Sequence, residues 1–264
     1  MDAVRLALGV EYDGRRFRGW QTQQEGVRTV QREVERALSF VADDPVHVYC
    51  AGRTDAGVHA REQVIHFETS VERPAKSWVM GGNVQLPNDV NLLWAAPMPD
   101  HFHARFSARF RSYRYRILNR PMRSALLHGR ATWIYRPLDA VRMHDAGQAL
   151  TGTHDFTSYR AIGCQAKQPV RTVTHLEVTR DGDIIELFIR ANAFLHHMVR
   201  NIAGVLIAIG AGEQPASWAR EVLEHRDRTL GGVTAPPDGL YFECVEYEDE
   251  FQLPRPHNGQ VFYT

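Results

Sequence analysis

The chain has 264 residues, of which 44% are hydrophobic and 23% charged, a balance that excludes disorder as the main state and suits one large or two small domains. Its 31 Lys and Arg offset 31 Asp and Glu, so net charge alone points to no polyanionic partner. No apolar run suits a membrane span, no leader-like pattern opens the chain, and Cys50, Cys164 and Cys244 are too scattered for a disulfide framework or a structural zinc site, so a cytoplasmic protein without membrane association is expected.

Taken in order, residues 4–12 alternate as a strand and Asp13-Gly14 turns the chain. A polar loop, residues 17–24, carries Trp20, and Thr29 is placed to cap a helix with Val30, Val34, Leu38 and Val41 on one face. Short strands are expected at 46–51 and 63–69, a helix at 78–83 and a strand at 90–96. A long strand follows at 104–119, where Arg alternates with Phe, Tyr and Ile. Asp139 caps a helix that Gly152 ends. Strands at 173–179 and 184–191, a helix from about 194 to 209 and a strand at 240–247 complete the core, and the tail from Leu253 is rich in loop formers. The expected fold is α+β: a central, largely antiparallel sheet shared by two similar halves, 1–108 and 109–264. Helices cover one face, a basic cleft lies on the other, and there is no accessory domain.

Charge is segregated along the chain. All cations but Lys76 and Lys167 are arginines, and nine of them fall between His101 and Arg136 with no Asp or Glu among them. Acidic residues gather instead at Asp238, Glu243, Glu246, Glu248, Asp249 and Glu250. The planar guanidinium suits phosphate. Such a field fits either a polyanion binder or a solvated strand face. Tyr113 and Tyr115 sit inside it on one side of the expected strand, with Arg114 on the other. They are either base-stacking rings or half-buried core.

The densest chemical constellation is Ala51-Gly52-Arg53-Thr54-Asp55-Ala56-Gly57-Val58-His59. Glycines let a backbone approach a bulky ligand, and a guanidinium two residues from Asp55 favours a carboxylate over a carboxylic acid. The plain alternative is an Asp bonding its own turn. His196 and His197, read as neighbours on a helix, point about 100° apart and cannot grip one ion together. His196 would instead share a face with Arg200. Magnesium-type carboxylate clusters are missing, so no metal site is assigned.

AGRTDAGVHA (51–60) resembles the signature loop of the TruA family of tRNA pseudouridine synthases. FHARFSAR and YRYRI within 102–117, LTGTHDFTSYR (150–160), ANAFLHHMVRNIAG (191–204) and DGLYF (238–242) resemble further blocks of that family, in the same order. The likeness runs from about Leu6 to Tyr247. It implies isomerisation of uridine to pseudouridine at positions 38, 39 and 40 of the tRNA anticodon stem-loop, without a cofactor, by a homodimer that takes tRNA as its partner. Residue by residue it implies Asp55 as the catalytic aspartate and Arg53 as its loop neighbour. Tyr113 would pack on the target base, Arg200 would pair with the aspartate, and Leu240 would line the uracil pocket. Arg61-Glu62 and Phe242 depart from the usual residues of the family.

Overall fold

The computed structural model describes residues 3–254, so the tail beyond Pro254 lies outside the described residues. Two compact units form, one from the chain up to Arg109 together with the stretch from Cys244, the other from Phe110–Glu243. The fold is α+β with mostly antiparallel strands, as expected.

In the first unit β1 (Val4–Tyr12) pairs antiparallel with β3 (His59–Thr69) on one side and β4 (Val90–Met98) on the other, and the short β2 (Tyr49–Cys50) adds to β3. Alternation sorts the two faces. Leu6 and Leu8 lie opposite Phe67 and Ile65. Phe67 packs edge-on against Trp78 of α2 (Ala75–Gln85), with ring centroids 5.1 Å apart. Gly82 of the same helix approaches Leu92 and Leu38 so closely that a Cβ would lie 2.5 Å from Leu92 Cδ1. That apolar face is covered by α1 (Val30–Ala42) and α2, and burying its large side chains contributes roughly 1.5–3 kcal/mol each. The other face carries Arg5, His66, Glu68 and Tyr49. Thr29 precedes α1 as expected, yet its side chain makes no capping bond, and its Oγ1 is buried without a partner among the described residues.

In the second unit the strand order is β5 (Phe110–Asn119), β9 (Ile184–Ala191), β8 (Val170–Asp181) and β7 (Gly152–Asp155), all antiparallel neighbours, while β6 (Thr132–Ile134) runs parallel beside β5. Helices α3 (Ala140–Gly147) and α4 (Met198–Gly210) pack with these strands, and α5 (Trp218–His225) packs against α3 and α4. Asp139 does cap α3, accepting from the Arg142 N–H at 3.0 Å. The helix ends at Gly147, where a Cβ would meet Leu176; Gly152, at φ +102°, instead opens β7. The strand expected over 104–119 begins only at Phe110, because 103–107 closes into a turn in which the Ser107 N–H donates to the His103 carbonyl at 2.9 Å. Strand β10 (Leu240–Glu246) carries the chain from this unit back to the first.

His66 is buried on β3, and its Nδ1 accepts the Ala104 N–H at 3.1 Å. Burial, with His103 and Arg5 nearby and Glu68 opposing them, pushes its pKa down to about 4. The unfolded chain therefore takes up this proton first, near pH 6.5, and stability falls as pH drops from about 6.5 to 4. His66→Asn keeps an acceptor without the titration. Urea midpoints at pH 7, 5.5 and 4.5 are expected to fall less steeply for this variant than for the parent; identical slopes would contradict the assignment.

Candidate active site

Asp55 sits in a loop fastened on both sides. Upstream, the buried phenol of Tyr12, the last residue of β1, shares a 2.7 Å hydrogen bond with Thr54 Oγ1. The Thr54 carbonyl accepts the Trp20 N–H at 3.0 Å, and the Trp20 ring lies 6.0 Å from that of Tyr12. The fully buried Gln63 clasps Gly52: its Nε2 donates to the Gly52 carbonyl, and its Oε1 accepts the Gly52 N–H at 3.3 Å. Downstream, the Val58 N–H donates to the Asp55 carbonyl at 3.2 Å, closing a turn through Gly57 at φ +81°. Within this frame Asp55 is half-buried and Arg53 exposed. A second carboxylate, Asp13, stands nearby in the chain's fold, 3.3 Å from His59 Nδ1. Burial works to raise its pKa, but hydrogen bonds from His59 and Arg15 prevail and hold the carboxyl well below the usual range.

From the sequence, Tyr12, Trp20, Thr54 and Gln63 are legible only as a strand end, a loop aromatic, a polar neighbour of the glycines and the start of a strand. What joins them is long-range pairing, which spacing along the chain does not carry. Gly19 is one of the positions that the clamp constrains tightly. Its φ is +93°, and a Cβ there would lie 2.7 Å from the Thr54 carbonyl oxygen.

The remaining candidates belong to the second unit. Tyr113 lies on β5 opposite Ile189 and is only 9% exposed. Its ring stands edge-on to Phe242 at 5.0 Å and to Phe194 at 4.8 Å. Leu240 is buried at the start of β10, directly after Gly239, where a Cβ would lie 2.3 Å from the Arg116 carbonyl oxygen. Arg200 lies in the first turn of α4, and its Nε donates to the Ala235 carbonyl at 2.8 Å. The segment leading to Ala235 is pinned by Arg228, which donates to Asn201 Oδ1 at 3.0 Å and to Thr234 Oγ1 at 2.9 Å.

Two sequence expectations need correction. Residues 194–197 are not helical: α4 starts at Met198, and His197 adopts the left-handed region at φ +61°. The two imidazoles are consequently not splayed around a helix but pack with centroids 4.0 Å apart. The arginine field, moreover, is largely answered by carboxylates. Arg114 meets Glu186 at 2.6 Å and Glu243 at 3.4 Å, and Arg116 meets Glu186 at 2.9 Å. Arg109 meets Glu248 at 2.9 Å, Arg120 meets Asp183 at 3.5 Å, and Arg136 meets Glu213. The acidic C-terminal run thus supplies partners to arginines more than a hundred positions earlier.

The family described as "tRNA pseudouridine synthase" matches residues 9–107 and 146–248. The tRNA pseudouridine synthase A of Pseudomonas aeruginosa is 61% identical over 260 residues, covering 98% of this chain and 91% of that one. Those of Nitrosococcus oceani and Escherichia fergusonii are 60% and 53% identical over 96% and 98% of this chain, covering 97% and 95% of theirs. The chain belongs to the TruA family of tRNA pseudouridine synthases.

Gly19→Ala tests the clamp. Both Gly19 and Gly26 have positive φ, but nothing lies within 4 Å of a Cβ at Gly26. Urea unfolding is expected to show Gly19→Ala losing about 1–3 kcal/mol more than Gly26→Ala, the cost of overpacking against Thr54. Equal losses would mean that the backbone angle alone matters there.

Proposed function

We propose that the chain isomerises uridine to pseudouridine in tRNA, at positions 38, 39 and 40 of the anticodon stem-loop, with Asp55 as the catalytic carboxylate. One observation carries the residue assignment: within GRTDAGVH, the backbone on both sides of Asp55 is held by buried hydrogen bonds. A carboxylate that must meet one sugar atom benefits from such preorganisation.

The reaction breaks the C1′–N1 glycosidic bond, turns the freed uracil and joins C1′ to C5. The proton displaced from C5 is balanced by one gained at N1. Nothing is oxidised and no group is imported, so the reading calls for no cofactor and no metal. Two routes suit a single Asp: covalent attack on the ribose or the base, or removal of a ribose proton to give a glycal. In both, Asp55 acts at the substrate.

The supporting roles follow the family resemblance. Arg53 flanks the aspartate and Arg200 pairs with it, Tyr113 packs on the target base, and Leu240 lines the uracil pocket. Tyr113 already stands among phenyl rings and Leu240 is buried, which suits a flat, weakly polar base. Asp55 and Arg53 fall in residues 1–108 and the other three in 109–264. By the same resemblance the working species is a homodimer in the cytoplasm. No helix among the described residues is long and apolar enough to cross a membrane.

Asp55→Ala and Asp55→Asn are expected to retain tRNA affinity, because a carboxylate repels phosphates, and to release no tritium from C5-labelled uridine even in one turnover with enzyme in excess. Thermal unfolding of each variant controls for loop damage. Substantial product from Asp55→Asn would move the assignment to another carboxylate.

A further inference from the structure

The face of the first unit's sheet opposite α1 and α2 bears a run of rings for which the proposed chemistry has no use. Tyr49 of β2 lies in register with His66 of β3, and the two rings stack at 5.1 Å and 20°. His66 meets His103 at 4.5 Å, His103 meets Phe106 at 4.4 Å, and His47 closes the other end against Tyr49 at 5.1 Å. The turn carrying His103 and Phe106 is fixed to the sheet. Arg5 donates to the Phe102 carbonyl at 2.7 Å, the Ala104 N–H donates to His66 at 3.1 Å, and the His103 N–H donates to Ser107 Oγ at 2.9 Å.

Only the middle of this run is buried. Phe106 is 75% and Tyr49 50% exposed, while His66 is 3% exposed. A phenyl ring held in solvent by a pinned turn forgoes burial that would stabilise the fold by roughly 1.5–3 kcal/mol. A cation stands beside it: the Arg105 guanidinium carbon lies 5.6 Å from the Phe106 centroid, and Arg105 is itself exposed. Burial lowers the pKa of both His66 and His103, so near pH 7 these rings are neutral stacking surfaces rather than phosphate-binding cations. Exposed neutral rings held in place by their neighbours, with an arginine at the rim, match an unpaired nucleobase whose backbone runs past a cation.

We propose that Phe106 and Tyr49, backed by His103 and His66, form a stacking platform for an unpaired base of the RNA substrate, distinct from the residues assigned to the target uridine. The proposal rests on the reading of tRNA as substrate. The platform contributes affinity and register, not chemistry.

The probe is a pre-folded, unmodified tRNA transcript, with binding measured between 50 and 200 mM salt and single-turnover pseudouridine formation measured at saturating RNA. Phe106→Leu keeps an apolar side chain but no π-face. It is expected to weaken binding about fivefold or more, as is Tyr49→Ala, each with an unchanged single-turnover rate. Because a ring releases no counterions, the log–log salt slope should stay that of the parent, whereas a lost phosphate contact would shift it by roughly 0.7–0.9. Phe106→Trp should restore affinity, which a purely structural role in the turn would not allow. Parent-like affinity in both Phe106→Leu and Tyr49→Ala would overturn the platform. So would failure of Phe106→Trp to rescue, or an affinity loss that tracks a change in oligomeric state, since the rings would then meet protein. A parent enzyme that binds tRNA through these rings but forms no pseudouridine would sink the functional reading while leaving the platform standing.

Discussion

A single buried hydroxyl pair, Tyr12 with Thr54, ties the loop of Asp55 to the strand that organises the first unit. Both residues are nearly inaccessible to water, at 3% and 7% exposure, so neither oxygen has solvent to fall back on. Leaving the Thr54 hydroxyl there without its partner would cost about 1–3 kcal/mol. From this contact follow the Trp20 N–H bond to the Thr54 carbonyl, the positive φ of Gly19 beneath it and the closing turn at Gly57. Burial also drives the Tyr12 pKa far above the ordinary phenol range, with the Thr54 and Gln63 hydrogen bonds opposing it. The phenol therefore stays protonated throughout the working pH range and acts as a fixed strut. Most of the loop's backbone is thus committed to structure, and the carboxylate it presents is left half-exposed.

The second unit uses a different device. Its β5 strand carries tyrosines on one side and arginines on the other, as alternation requires. The tyrosine side enters the core, with Tyr115 fully buried and its hydroxyl bonded to Thr132 and to the Pro236 carbonyl at 2.6 and 2.8 Å. On the arginine side Glu186 and Glu243 bracket Arg114, and the Arg190 guanidinium lies 3.7 Å from the Phe110 centroid. Half-buried charges of this kind are held by their partners. Arg114 is already shared between Glu186 and Glu243, which makes it a poor candidate for a phosphate clamp.

How much was legible in the sequence depends on whether the deciding interaction was local. Helix α1 and strands β1 and β9 follow from their apolar periodicity, and the Asp139 cap follows from its own neighbours. The Asp loop was readable from its glycines and from the resemblance that GRTDAGVH carries. What failed were readings that extended a local pattern too far. The Arg alternation extends the expected strand back to Ala104, although Ser107 closes a turn there; the apolar spacing starts the expected helix at Phe194, although His197 is left-handed. The short strands β6 and β7 and helix α5 were missed. In β6, only three residues long, the reason is plain: its existence depends on pairing with β5, not on its own sequence. The charge segregation misled in the same way, since Glu243 and Glu248 find Arg114 and Arg109 only once the chain has folded.

The account stands or falls on coupling between Tyr12 and Thr54 in catalysis. The direct measurement is a double-mutant cycle with Tyr12→Phe, Thr54→Val and both together, read in urea unfolding and in the single-turnover rate of pseudouridine formation in tRNA. Tyr12→Phe should strand the buried Thr54 hydroxyl and Thr54→Val should leave the Tyr12 phenol with Gln63 alone, and each should destabilise the chain and slow the reaction. The double change should cost less than the sum of the two, with a coupling of about 1–2 kcal/mol in stability and a matching non-additivity in rate. Strictly additive losses, or parent-like turnover in all three variants, would mean that the hydroxyl pair does not position Asp55.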